Sequence, residues 1–369
     1  MALPARPRSD RTRTAEPRHG ARTLRSLAAA LVLFVPLSAH AVNYELVDVG
    51  SPGNAPDVTT FGAVAYPYRI GRYEVTVADY SAFLNAVART DTYGLWNNGM
   101  QAAPSGAGIT RSGSPGSHVY APMTATSGSA PYSASGTPPF RTTSGVDSSR
   151  FPITYVSWLN AARFANWMAN GQPTGAQDAT TTEDGAYRLA GATKGGAPAR
   201  NAINPNTGQP PAFHVPTENE WYKAAYYDPR LNAGRGGYHR YATRSDTPPG
   251  NVAPGSGFGS TQPGSNQANY IYGSRYLYSV TQSAAIVTTQ HYLTPVGTFP
   301  EAVSPWGALD MNGSVWEVNT LSGAESLNVG IRGGAWTSLA SYLAGTYFLG
   351  TVTYSTASNV GFRLAAPAP

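Results

Sequence analysis

The chain has no cysteine among its 369 residues. Disulfides, thiolate-ligated zinc, thiol redox chemistry and cysteine nucleophiles are therefore excluded. Charge is scarce, with Asp, Glu, Lys and Arg making up 12% of the residues. Histidine is scarcer: beyond residue 41 there are His118, His214, His239 and His291, no two of them four apart. Neither a helical metal pair nor a facial triad can be read from that spacing. Long apolar runs are missing as well. The run from Leu27 to Leu37 is shorter than the roughly 18 to 20 residues that span a bilayer. Hydrolytic signatures are incomplete, because Ser338 follows a Gly-Gly pair with no histidine base near it. Gly255-Ser256-Gly257-Phe258-Gly259 lacks the lysine that would make it a phosphate loop. What is present is 40 Gly, 30 Pro and 23 Tyr, the composition of a loop-rich fold with aromatic walls rather than a helix bundle.

The first residues read as an export signal. Arg6, Arg8, Arg11, Arg13, Arg18, Arg22 and Arg25 precede the apolar run, and Ser38-Ala39-His40-Ala41 places small residues before Val42. Cleavage of residues 1–41 would remove those arginines with Asp10 and Glu16, leaving basic and acidic side chains in balance. The pI near 9.3 thus belongs to the leader and is no sign of a nucleic-acid partner. The expectation is an exported bacterial protein, periplasmic or extracellular, with no membrane partner after cleavage.

Residues 42–366 are expected to form one domain, with 367–369 as a short tail. Tyr44 to Val49 and Tyr66 to Glu74 read as strands. Thr76 with Asp79, Ser157, and Thr217 with Glu220 are helix N-cap signals. The helix after Ser157 runs from Trp158 to about Met168, with Leu159, Ala162, Ala165 and Met168 as its inward stripe. Phe151 to Val156 and Tyr187-Arg188-Leu189 read as short strands. From about 99 to 149 the chain becomes a Gly, Ser, Thr, Ala and Pro rich insertion, expected to carry little regular structure.

Three pieces near the C-terminus carry more information than the rest. They are Trp306-Gly307-Ala308-Leu309-Asp310-Met311-Asn312-Gly313-Ser314-Val315-Trp316-Glu317, Arg332-Gly333-Gly334-Ala335-Trp336, and Asn359-Val360-Gly361-Phe362-Arg363. In order and spacing they resemble the core of the formylglycine-generating enzyme family, also called sulfatase-modifying factor domains. Tyr68 to Thr76, Ile153 to Trp167 and Val215-Pro216-Thr217-Glu218-Asn219-Glu220-Trp221 resemble further motifs of that family in the same order.

The resemblance implies an α+β fold, a loop-rich variant of the C-type lectin fold with short strands and a few helices. It carries a calcium site onto Asp310 and Glu317 through side chains and onto Gly313 and Val315 through carbonyl oxygens; calcium accepts six to eight hard oxygens in a flexible shell. A second calcium site would begin at Asn269, but no Asp or Glu follows between Tyr270 and Pro300. The two cysteines on which the family's oxidases rely fall at Ser338 and Leu343. Neither residue offers the soft ligand that favours reduced copper, so copper is not expected. The serine that active members often carry after the Gly-Gly pair is Ala335 here.

Trp316, Arg332, Ala335, Trp336, Ser338 and Tyr342 are then the expected lining of an aromatic pocket without a catalytic residue. Arg363 is expected to tie loops together through its fork of donors. The favoured reading is a non-catalytic, calcium-stabilised binding module for a peptide, a glycan or a small polar ligand. The alternative is an oxidoreductase of the wider family, a metal-dependent oxygenase that does without cysteine. A third is adhesion at a cell surface through the Gly/Ser/Thr loops.

Overall fold

Strands are short in this chain, and loops carry most of its length. The computed structural model describes residues 41–101, 108–123, 148–252, 264–286, 291–321 and 328–369. The expected leader lies outside them except for its last residue. From Ala39 to Pro369 the chain forms one compact unit. In chain order it presents β1 (Leu46–Val49), β2 (Tyr68–Gly71), α1 (Val77–Val87), β3 (Ile109–Ser112), β4 (Val119–Pro122), α2 (Trp158–Ala169) and α3 (Glu218–Tyr226). There follow β5 (Tyr227–Asp228), the single turn α4 (Leu231–Gly234), β6 (Gly237–Tyr238), β7 (Ile271–Tyr272), β8 (Leu277–Tyr278), β9 (Trp316–Asn319) and β10 (Asn328–Arg332). The last elements are the single turn α5 (Ala340–Leu343), β11 (Leu349–Val352), β12 (Val360–Gly361) and β13 (Ala365–Pro367). This is a loop-rich α+β domain.

One sheet runs β1-β2-β13, and a second runs β11-β10-β9-β12. Within the second, β12 lies parallel to β9, pairing Val360 with Trp316 and Gly361 with Glu317. The register of β10 against β9 places Arg332 opposite Glu317. The Trp-Glu motif and the Gly-Phe-Arg motif, more than 40 residues apart in sequence, are thereby brought side by side.

The helices start where local chemistry says they should. Thr76 accepts a hydrogen bond from Asp79 N–H while the Asp79 carboxylate takes the Thr76 N–H, so two free donors of the first turn are satisfied. Ser157 caps α2. That helix departs from the expected single stripe: every residue from Trp158 to Ala169 is buried. A helix buried all round needs partners for its polar residues. Arg163 finds Glu183 at 2.7 Å, and Asn166 donates to the carbonyls of Thr182 and Tyr187 at 2.7 and 2.8 Å. On the apolar side Phe164 meets Phe83, Trp167 and Phe362 at ring-centroid distances of 5.3, 5.6 and 5.5 Å.

Three expectations are corrected. Residues 151–156 and 187–189 make only single bridges, Thr76 to Pro152 and Tyr187 to Arg200, and Tyr155 breaks the first segment with a φ of 57°, so neither is a strand. The described part of the 99–149 segment is not without structure. β3 and β4 pair from Ile109↔Pro122 to Ser112↔Val119, and buried Tyr120 anchors them by donating to Ala88 O at 2.8 Å. The turn signal Gly113-Ser114-Pro115-Gly116 was there to be read, but composition outweighed it. Residues 102–107 and 124–147 lie outside the described residues.

α3 carries a pH dependence. Glu220 is buried in the capping box: Thr217 N–H donates to it at 2.8 Å, His214 Nε2 lies 3.1 Å from both of its oxygens, and Tyr66 donates at 3.0 Å. Burial alone would raise its pKa, but His214, Arg200 and the Thr217 N–H outweigh burial and hold it at about 2. Since the folded value lies below the ordinary 4.5, the contribution is complete above that pH and is lost as pH falls from there towards 2. It amounts to about 3 kcal/mol. Urea midpoints measured from pH 6 to pH 2 are expected to fall over this window, and Glu220→Gln is expected to flatten the fall. A variant with the same acid slope as the parent would remove Glu220 from the account.

Candidate functional site

The turn from Leu309 to Val315 positions the candidate site. Asp310, Gly313 and Ser314 all have positive φ, at 58°, 82° and 59°. Gly313 is required there: a Cβ on it would sit 2.3 Å from the carbonyl oxygen of Asn269. That close approach joins two expected metal positions, with Ser314 N–H donating to Asn269 O at 2.8 Å. The Asn269 side chain turns away to donate to Tyr292 O at 2.9 Å.

Asp310 is half-buried and takes the Gly297 N–H on Oδ2 at 2.6 Å. Burial pushes its pKa up to about 6. It borders a shallow, partly open recess shared with Thr243, Gln267, Met311 and Asn312.

Glu317 is more fully engaged than its place in the motif suggests. Arg363 donates to both of its oxygens at 2.6 Å, and Trp221 Nε1 donates to Oε2 at 2.8 Å. Arg363 also donates to Gly71 O and Leu309 O at 2.8 and 3.0 Å. One guanidinium therefore fastens β2, the 309–315 turn and β9 together, as expected of its fixed fork. Glu74, which sequence reasoning passed over, lies beside this pair. It is 1% exposed, and neither oxygen accepts a hydrogen bond. Burial, with Asp310 next in weight, raises its pKa well above the usual carboxylate range. Its one visible signal was an acid between the apolar residues Tyr73 and Val75.

Among the described residues no group of three or more His, Asp or Glu side chains is disposed to hold a metal ion. A cation here would draw on two carboxylates at most and on carbonyl oxygens. That donor set suits hard, flexible calcium.

The aromatic residues separate into two groups. Trp336 stacks on Tyr292 at 5.1 Å, with Tyr278 at 5.9 Å. Trp316 instead floors a pair formed by Tyr342 and Tyr347, whose rings are 4.5 Å apart. Tyr347, Tyr278 and Tyr292 were not anticipated, because nothing in local spacing marks them.

Arg332 is not an accessible lining residue. It is fully buried, paired with Glu218, and donates to Gly345 O and Tyr347 O at 2.7 and 2.8 Å. Phe61 and Tyr222 flank its guanidinium, each at 4.9 Å.

The positions of the family cysteines have structural work of their own. Ser338 Oγ accepts from Ala335 N–H at 2.9 Å, closing the loop that carries Trp336, and Ile271 N–H donates to Ser338 O at 2.8 Å. Leu343 is fully buried, its Cδ1 lying 2.6 Å from where a Cβ on Gly334 would be. A hydroxyl already bound to a backbone donor and an aliphatic side chain cannot make a soft-metal pair.

Residues 54–368 match the sulfatase-modifying factor enzyme 1-like domain. No curated protein matches the chain. Among solved structures it is similar to CarF, at 19% identity and a TM-score of 0.45, over 88% of this chain and 99% of that one. Treponema denticola variable protein 1 is 15% identical with a TM-score of 0.48, over 90% and 98% of the two chains. PvdO from Pseudomonas aeruginosa is 16% identical with a TM-score of 0.40, over 88% and 92%. With residues 54–368 of its 369 matched, the chain belongs to the sulfatase-modifying factor family, as a member without cysteine.

Proposed function

We propose that this protein is an exported, calcium-stabilised binding module that has lost the cysteine oxidase chemistry of its family. The observation that carries the reading is the fate of the two cysteine positions, where Ser338 closes a loop and Leu343 fills the core. Calcium would be held by the Asp310 side chain and the carbonyls of Gly313 and Val315, with Glu317 behind them. It would brace the turn and supply no redox chemistry. A C-type-lectin-like arrangement of the loops belongs to the same reading, supported by the resemblance of the motifs. Export rests on the leader at 1–41.

The ligand is a peptide, a glycan or a small polar molecule. Tyr342 and Tyr347 are half-buried on the Trp316 floor, so a flat apolar face can stack on their rings while the phenol groups hydrogen-bond.

The purified protein, supplied with copper and a cysteine-containing sulfatase peptide, is expected to take up no oxygen; formylglycine in the product would overturn the non-catalytic reading. Glycan and peptide arrays probed with and without calcium are expected to give calcium-dependent binding. Tyr342→Ala with Tyr347→Ala should weaken any hit about tenfold or more, equivalent to about 1.4 kcal/mol, at unchanged melting temperature. Full affinity in that variant would remove these rings from the site.

A further inference from the structure

We propose that β11 is a docking edge, to which an extended, uncharged peptide segment adds as a further strand while seating an aromatic side chain against Tyr342 and Tyr347. The inference rests on the binding-module reading above and chooses one ligand class among those it allows.

β11 is the terminal strand of the sheet β11-β10-β9-β12, paired with β10 from Asn328↔Val352 to Ile331↔Leu349. Among the described residues no other strand pairs with it, so its outward N–H and C=O groups form a template for one more strand. Proteins ordinarily blunt such an edge with lysine, proline or a bulge. Phe348-Leu349-Gly350-Thr351-Val352-Thr353-Tyr354 holds neither charge nor proline, and the register against β10 runs without a bulge. Phe348, Leu349, Val352 and Tyr354 are 50%, 38%, 37% and 45% exposed.

Charge is missing over a wider stretch. No Asp, Glu, Lys or Arg stands between Arg332 and Arg363, and both arginines are buried against Glu218 and Glu317. Lys194 approaches at the far end, 6.0 Å from the Tyr354 ring. A charged side chain laid along this edge would lose water without gaining a counter-charge, which selects an uncharged partner.

Area decides between a peptide and a second copy of the chain. At roughly 200 Å² for a whole aromatic side chain, the four partly exposed side chains offer roughly 300 Å² together. A stable dimer needs about 600 to 1,000 Å² from each partner. A single added strand needs less, because main-chain hydrogen bonds supply its affinity and pockets for alternate side chains its specificity. Such a pocket lies at the start of β11. Tyr347 stands two residues before Leu349, its ring 4.5 Å from that of Tyr342 and 6.1 Å from that of Trp316. Arg332 fixes the backbone there by donating to Gly345 O and Tyr347 O at 2.7 and 2.8 Å, so rings and edge are presented together.

The probe is a set of blocked, fluorophore-labelled heptapeptides in which Val, Ile, Phe or Tyr alternates with Thr or Ser. They are titrated by fluorescence polarisation against the purified protein in calcium. At least one is expected to bind. Of its two alternately N-methylated forms, one should bind at least tenfold more weakly, because it has lost donors and kept its side chains. Lys or Glu at its central residue should weaken binding by a similar factor. Leu349→Lys with Val352→Lys is expected to abolish the signal at an unchanged melting temperature, since both side chains are more than a third exposed. If that variant does not fold, amide exchange on the parent answers instead: bound peptide should slow exchange within Leu349–Val352. Full affinity in both N-methylated forms, full affinity in the charged peptides, or no bound peptide at all would overturn the proposal. So would a dimer in light scattering that the lysine variant splits. A glycan that binds and is lost in Tyr342→Ala with Tyr347→Ala, where no peptide binds, would overturn the peptide edge and leave the binding module standing. Formylglycine in the oxygen-uptake assay would overturn the reading beneath it.

Discussion

Replacing Arg363 by methionine is expected to destabilise the fold by about 3 to 5 kcal/mol, the range for breaking a buried ion pair from one side. The loss has two parts. Glu317 would be left buried with only the Trp221 N–H to satisfy it, and Gly71 O and Leu309 O would lose the donor that joins β2 to the 309–315 turn. Against a typical total of about 5 to 15 kcal/mol, this is enough to unfold a large share of the molecules. Urea denaturation at fixed calcium measures it. Adding Glu317→Leu to the same variant should recover part of the loss, because the stranded charge goes with it. A loss below about 1 kcal/mol would mean that the pair behaves like an exposed one and is not the fastener described above.

Phe164→Ala is expected to cost about 3 to 5 kcal/mol, the usual range for deleting a buried aromatic ring. Phe164 is fully buried. Its ring meets Tyr80, Phe83, Trp167 and Phe362, which come from α1, α2 and the strand end that carries Arg363. Because α2 is surrounded on every side, its neighbours have little room to close over the vacated space, which places the cost towards the upper end. Chemical denaturation followed by tryptophan fluorescence gives the value. A loss under about 1.5 kcal/mol would show that the surrounding rings repack freely.

The caps at Thr76, Ser157 and Thr217 were legible in the sequence because a helix start is encoded within four residues. Extended segments were harder. Phe151 to Val156 has the composition of a strand, yet strand pairing depends on a neighbour that no local window contains. The same limit governs the site. The motif from Asp310 to Glu317 was visible, but the partner that occupies Glu317 lies 46 residues away, and the Glu218 that pairs with Arg332 lies 114 away. Glu74 went unnoticed for a related reason: its significance is an absence of donors, which only the packed chain reveals.

The two main sheets share a feature that bears on the order of assembly. β12 supplies the parallel edge of one and β13 an outer strand of the other, and both come from the stretch Val360 to Pro367. Arg363 between them reaches back 292 residues to Gly71. A growing polypeptide consequently has no means of closing either sheet before this stretch emerges, and its early strands must wait, open-edged, through nearly all of synthesis. Such late closure predicts slow acquisition of native structure and a long interval in which the chain is still loose enough to be threaded through a translocation pore.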